Sequence, residues 1–210
     1  MALRARVERY AAAGRGVVVP RPFCPRCVRP MAFSSGYQRF VRERGRTLRI
    51  WIRRCRCTPC RKSHVLIPSF LLLRRLDPVA AIGAAVTRSV SGVGLRSVAT
   101  LFDVPHTTAR DWRRRFRARA PALTAGFSSL AVALGGDAPV LAADPEVAAL
   151  QAPGSAWFQA RQRFGASVPG PFALASVVSG GALLATITTP PWAGFLGGRW
   201  MPPVPTNHRR

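Results

Sequence analysis

The chain is 210 residues long, enough for one medium domain or two small ones, and carries 32 Lys+Arg against 8 Asp+Glu, a formal net charge of +24. Every basic residue but Lys62 is an arginine, and guanidinium makes planar, bidentate contacts with phosphate oxygens and guanine edges that ammonium does not. This is far more charge than a solvated surface needs, and it is unevenly placed: residues 1–120 hold 27 basic and 5 acidic residues, residues 121–210 only 5 and 3. The pattern reads as a nucleic-acid-binding front half joined to a different back half.

Residues 1–22 form a basic arm, partly helical, ending in "PRP". Arg15 interrupts any apolar core there, so the start does not read as an export signal. Residues 23–68 carry all five cysteines, with strand-like alternation between them. In "TLRIWIRR", Leu48, Ile50 and Ile52 point one way and Arg49, Trp51 and Arg53 the other. "YQRFV" supplies a partner strand, "RERGR" a glycine-containing turn and "HVLIP" a third strand.

Cys24/Cys27 and Cys57/Cys60 are two CxxC pairs with 29 residues between them. CxxC lets two thiolates of one tight turn face one ion, and zinc prefers four N/S ligands in a tetrahedron. Without an export signal, paired CxxC motifs favour a metal over disulfides. The interval fits a hairpin whose ends return to the metal: a small antiparallel zinc ribbon with one structural zinc. So small a ribbon buries too little apolar area to fold alone, and the ion supplies much of the folding free energy. Four thiolates close the coordination shell, and no acid lies between Glu43 and Asp77, so a catalytic zinc is not expected. Cys55 lacks a CxxC partner and is the surplus cysteine; His64 reads as a strand-entry residue rather than a ligand.

From residue 69 the pattern turns helical. Asp77-Pro78 is a helix start signal, an N-cap followed by proline at the first helical position, and "VAAIGAAVTRSV" suits a packed helix that "SGVG" then breaks. "LRSVATLFDVPHTTARDWRRRFRARA" follows. Val98, Ala99 and Phe102 form the buried face of a short helix, with Ala99 small enough for close crossing. Asp103 sits where the turn needs a left-handed residue, which Asp is among the few to tolerate. Val104 plugs the turn, and Ala109, Trp112 and Phe116 repeat at helical spacing in the next helix. The opposite face shows His106, Thr107, Arg110, Asp111, Arg113, Arg114 and Arg117. Residues 69–120 therefore read as a three-helix helix-turn-helix domain on double-stranded DNA. His106, Thr107 and Arg110 are placed near base edges, and Arg113, Arg114 and Arg117 on phosphates.

Residues 121–210 are Ala/Gly/Pro-rich, with helices expected around 122–134, 155–164 and 172–184, separated by "PGSA" and "SVPGP", with "TTPPW" closing the last. Residues 164–198 carry no charge, but seven of the 18 residues in "FALASVVSGGALLATITT" are Ser, Gly or Thr, which argues against a membrane-spanning helix. The last ten residues or so read as frayed. The fold class expected is α+β: the ribbon, the helical domain and a mostly helical C-terminal region.

"CPRC", "RRCRCTPCRKSHVLIPSFLL", "RSVATLFDVPHTTARDWRRRFRARA" and "PFALASVVSGGALLATITTPPW" together resemble a family of proteins of unassigned function from high-GC bacteria. That family joins a zinc ribbon to a helix-turn-helix and is often found near insertion sequences; the likeness covers roughly residues 23–193. The position of Cys55 is usually apolar there, in agreement with leaving it out of the tetrad. The pair of modules also resembles the N-terminal DNA-binding region of several transposases. The resemblance implies DNA binding and a connection to mobile elements, and it implies no reaction.

A transposase that holds two metal ions needs three carboxylates from separated strands. After the helical run the chain offers only Asp137, Asp144 and Glu146, within ten residues of one another. The expectation is thus a non-catalytic, cytoplasmic and nucleoid-associated DNA-binding protein, a regulator or transposase-like accessory factor. Its partners would be duplex DNA, a transposase or a second copy of itself, and no small-molecule substrate or membrane. The alternatives are the DNA-binding subunit of a split recombinase and an RNA-binding ribbon protein.

Overall fold

The computed structural model describes residues 2–24, 26–43 and 45–185, with side chains from residue 7 onward. It is α+β and divides into two compact units: the chain up to Pro68 together with Arg74–Pro78, and Ser69–Leu73 together with the chain from Val79 on. The C-terminal part of "ALLATITTPPW" and the last ten residues lie outside the described residues.

The first unit opens with helix α1 (Ala2–Ala13) and a 3-10 turn (Gly14–Gly16), then forms an antiparallel sheet in the order β1 (Ala32–Glu43), β2 (Arg46–Arg56), β3 (Ser63–Val65). β1 and β2 are a long hairpin that reverses at Gly45, whose φ of 72° is the left-handed value such a turn requires. Ile50 and Ile52 alternate into the interior, joined there by Val41, as the "TLRIWIRR" pattern predicts. The hairpin register shifts between Phe33 and Ser35, leaving one extra residue on β1. α1 lies against β2, so the N-terminal arm belongs to this unit. Arg74–Asp77 runs beside β1: the Arg42 N–H donates to the Leu76 carbonyl (2.8 Å), and the Arg42 guanidinium forks onto Asp77 at 2.7 and 3.0 Å.

The described residues of the second unit form helices and the turns between them. α2 (Val79–Val90), α3 (Leu95–Leu101), α4 (His106–Ala133), α5 (Pro145–Phe164) and α6 (Pro171–Val178) enclose one apolar core. Two helices are longer than their sequences announce. α4 runs unbroken through Pro121, so the boundary expected at residues 120/121 falls inside a helix. α5 begins ten residues before the expected 155 and runs through Pro153 and Gly154, the "PGSA" expected to precede it as a break. A proline inside a helix costs about 3 kcal/mol, and here packing offsets it. Ala120, Leu123, Phe127 and Ala131 of α4 are buried, as are Ala149, Ala152, Ala156 and Ala160 of α5, at spacings that put each set on one face. The small alanine stripe lets the two axes approach closely. α6 ends at Val178, earlier than expected, and two left-handed glycines, Gly180 and Gly181, turn the chain after it. No helix among the described residues is long and apolar enough to cross a membrane.

Candidate metal centre and nucleic-acid interface

Both CxxC turns close in the same way. The Cys24 N–H donates to the Arg29 carbonyl (2.8 Å) and the Cys57 N–H to the Lys62 carbonyl (2.9 Å), each a bond to the residue five positions on. The residue after the second cysteine is left-handed in both, Val28 with φ 53° and Arg61 with φ 56°. A β-branched residue is disfavoured in that region by about 1–3 kcal/mol, so the Val28 turn is held by what surrounds it. Cys57 continues from the end of β2, and the Phe23–Pro30 bridge closes the loop around Cys24.

These turns bring the sulfurs of Cys24, Cys27, Cys57 and Cys60 within 4.8 Å of one another. Cys24 and Cys60 are 3.6 Å apart, too far for a disulfide. A tetrahedral ion with metal–sulfur bonds of about 2.3 Å would set its sulfurs about 3.8 Å apart, so the four thiols fit one metal ion. The thiols share protons unevenly. Backbone N–H groups, that of Cys27 foremost, hold Cys24 down at about 6. Hydrogen bonding to Cys60, with burial, pushes Cys27 up to about 12. Four sulfurs this close cannot all ionise without a cation between them, and binding one releases the protons.

Cys55 stands outside the tetrad. It pairs in register with Phe33 and His64, is fully buried beside Met31, Cys24 and Cys57, and burial raises its thiol pKa. His64 is a neighbour of the cluster, its Nε2 3.9 Å from the Cys24 sulfur, and not one of the four.

In the helical unit α3 and α4 are joined by four residues, Phe102–Pro105. Asp103 has φ 50°, the left-handed value expected of it, and the Val104 N–H donates to the Ala99 carbonyl at 3.0 Å. Val98, Ala99, Ala109, Trp112 and Phe116 are buried, and Phe102 and Val104 pack against them. An open depression of about 470 Å³ lies at this turn, lined by Arg96, Ala99, Thr100, Asp103, Val104 and His106.

His106, Thr107, Arg110, Arg114 and Arg117 are exposed along α4. Arg113 is placed otherwise than its sequence position led one to expect. Its guanidinium forks onto Glu146 of α5 at 2.6 and 2.7 Å, joining two helices instead of facing solvent. Arg117 reaches the same carboxylate at 3.2 Å with most of its side chain exposed. These arginines hold the Glu146 carboxyl below its ordinary value. Asp111 accepts from Arg114 (2.8 Å) and Arg115 (2.7 Å), which sets the direction of both. Nothing in the sequence marks Glu146 as the partner of Arg113, 33 residues away. The start of α5, expected at residue 155, lies ten residues earlier, and a signal for it was there to be used: Asp144-Pro145 repeats the Asp77-Pro78 pattern, and the Asp144 carboxylate accepts from the Glu146 and Val147 N–H groups.

Residues 24–98, a little over a third of the chain, match a family described as a domain of unknown function (DUF6431). The match begins on the first cysteine of the tetrad and ends within α3. No curated protein and no solved structure matches the chain.

Proposed function

We propose that this chain is a zinc-stabilised, sequence-specific DNA-binding protein without a reaction of its own, acting as a regulator or as an accessory factor to a transposase. The carrying observation is the α3–turn–α4 arrangement. A left-handed Asp103 and the Val104 N–H to Ala99 carbonyl bond set a short helix across a longer one, and the exposed N-terminal face of the longer helix carries His106, Thr107 and Arg110. A helix-turn-helix presents its second helix to the major groove in this way, with N-terminal residues on base edges. Arg114 and Arg117, one and two turns further along, are the phosphate contacts of this reading; Arg113, committed to Glu146, is not. The tetrad takes zinc, for which four thiolates are a closed structural shell.

The carboxylates of the C-terminal half favour a binding role over catalysis. Asp144 caps α5 and Glu146 ties α4 to α5. Should the protein belong to a recombination system, as its resemblance to insertion-sequence-associated proteins and transposase N-termini implies, a partner chain would supply the catalytic carboxylates.

Selecting bound sequences from a random duplex pool tests the reading and yields the preferred site. On that site Arg110→Ala should cost about 1–3 kcal/mol and relax choice at one base pair, whereas Arg114→Ala should weaken all duplexes equally and lower the salt slope by about one. Wild-type affinity should fall roughly 10³–10⁵-fold between about 50 and 200 mM salt. A flat salt profile, or a sequence preference untouched by Arg110→Ala, sinks the proposal.

A further inference from the structure

The sheet has a second face with a chemistry of its own. Directly paired residues of an antiparallel sheet project to the same side. Gly36 is opposite Arg53, Gln38 opposite Trp51 and Phe40 opposite Arg49, on the side away from Ile50 and Ile52. The irregularity in β1 brings Phe33 onto this side too, opposite Cys55. Three guanidinium–ring pairs result: Arg53 over Phe33 at 5.2 Å, Arg15 over Trp51 at 4.6 Å and Arg49 over Phe40 at 5.6 Å.

The three rings are not equivalent. Trp51 packs against Gly36, where an added Cβ would meet the indole at 2.6 Å, and Arg15 lies over its ring. It is a filler. Phe33 and Phe40 flank it with 43% and 51% of their surface exposed. About six residues of strand separate them, roughly 20 Å. Arg53 is held in place by the carbonyls of Val17 (3.1 Å) and Arg15 (2.8 Å). The carboxylates of this unit are engaged elsewhere: Glu43 projects to the Ile50 side, Glu8 sits beside Arg46, and Asp77 is forked by Arg42.

We infer that this face binds an unpaired strand of DNA, with Phe33 and Phe40 as stacking platforms and Arg49 and Arg53 on the phosphates. Charge complementarity selects a polyanion. Two exposed rings set apart among arginines then select one with flat faces of its own, since base–aromatic stacking is sequence-tolerant and available only where bases are unpaired. A duplex hides those faces, an acidic peptide leaves the rings unused, and a lipid surface calls for contiguous apolar area. The choice of DNA over RNA rests on the duplex-DNA reading above; the stacking chemistry does not.

The test is anisotropy of labelled oligothymidine about 15 nucleotides long, titrated with zinc-loaded full-length protein, beside oligouridine and a duplex. Phe33→Ala and Phe40→Ala should each weaken oligothymidine binding roughly 5- to 150-fold. Arg49→Lys, which keeps charge but loses the planar stack, should weaken it less. Arg110→Ala should leave it unchanged, so failure on the duplex and failure here are read separately. Metal content and melting curves accompany each variant. If Phe33→Ala loses metal, Phe40→Ala decides, since it lies at the far end of the strand from Cys55. Phenylalanine variants that bind like wild type overturn the inference, as does phenylalanine-dependent binding confined to oligouridine.

Discussion

Among the described residues of the helical unit, Trp112, Phe116 and Phe127 are all but fully buried and Phe102, Trp157, Phe164 and Phe172 pack half-buried against them, leaving Phe158 exposed. In the sheet unit the balance is reversed: Phe23, Phe33, Tyr37 and Phe40 are exposed, and Tyr10 and Trp51 are half-buried. The interior of the sheet unit is left to aliphatic side chains such as Val7, Val41, Ile50 and Ile52, and to a second cluster in which Met31 packs among Cys24, Cys55 and Cys57. The contrast separates two sources of stability. A unit that packs aromatics inside has the larger apolar core, whereas the sheet unit has a smaller aliphatic one beside the four cysteines that could hold a metal ion. It also leaves Phe33 and Phe40 exposed on the sheet.

Removing the ion should break this comparison most sharply. A structural tetrathiolate site contributes about 10–16 kcal/mol of apparent binding free energy, all of it coupled to folding. Chelation should therefore abolish the β-sheet signal while the helical unit keeps its circular-dichroism spectrum. Cys57→Ser should lose the metal and Cys55→Ser retain it, as measured by metal content per chain. The reverse pattern would show that the tetrad has been drawn on the wrong cysteine.

Trp112→Ala is the mirror experiment. A core aromatic is worth about 3–5 kcal/mol, so this variant should lower the melting temperature of the helical unit and leave metal content at wild-type level. Loss of metal in the same variant would mean that the two units do not fold independently.

A smaller effect sharpens the picture within the helical unit. Glu146→Gln removes the charge that Arg113 forks, at a cost of about 1–3 kcal/mol near neutral pH. Because the folded-state pKa of Glu146 is depressed, the pair's contribution is fully present above the ordinary carboxyl value of about 4.3. It is lost as pH falls through the lower folded value. Melting temperatures of wild type and Glu146→Gln should thus converge on acidification below about pH 4. A gap that stays constant with pH would mean that Arg113 gains nothing from the carboxylate.

Local rules carried much of the molecule. CxxC spacing picked out the four cysteines, because two thiolates in one turn are a short-range property. Period-two alternation placed Ile50 and Ile52 inside, and the left-handed tolerance of Asp103 located the turn between α3 and α4. Each of these is decided by residues within a few positions of one another, so each could be read from the chain alone. Tertiary packing decided the rest. Pro121 and Pro153 are helix breakers by local preference, and they stand inside α4 and α5 because the buried alanine stripe and its partners offset their cost. Arg113 reads as one more exposed arginine until α5 folds back and brings Glu146 within 2.6 Å of it. The aromatic face of the sheet likewise depends on the β1 irregularity that sets Phe33 opposite Cys55. Register between two strands is a long-range choice that neither strand can state by itself.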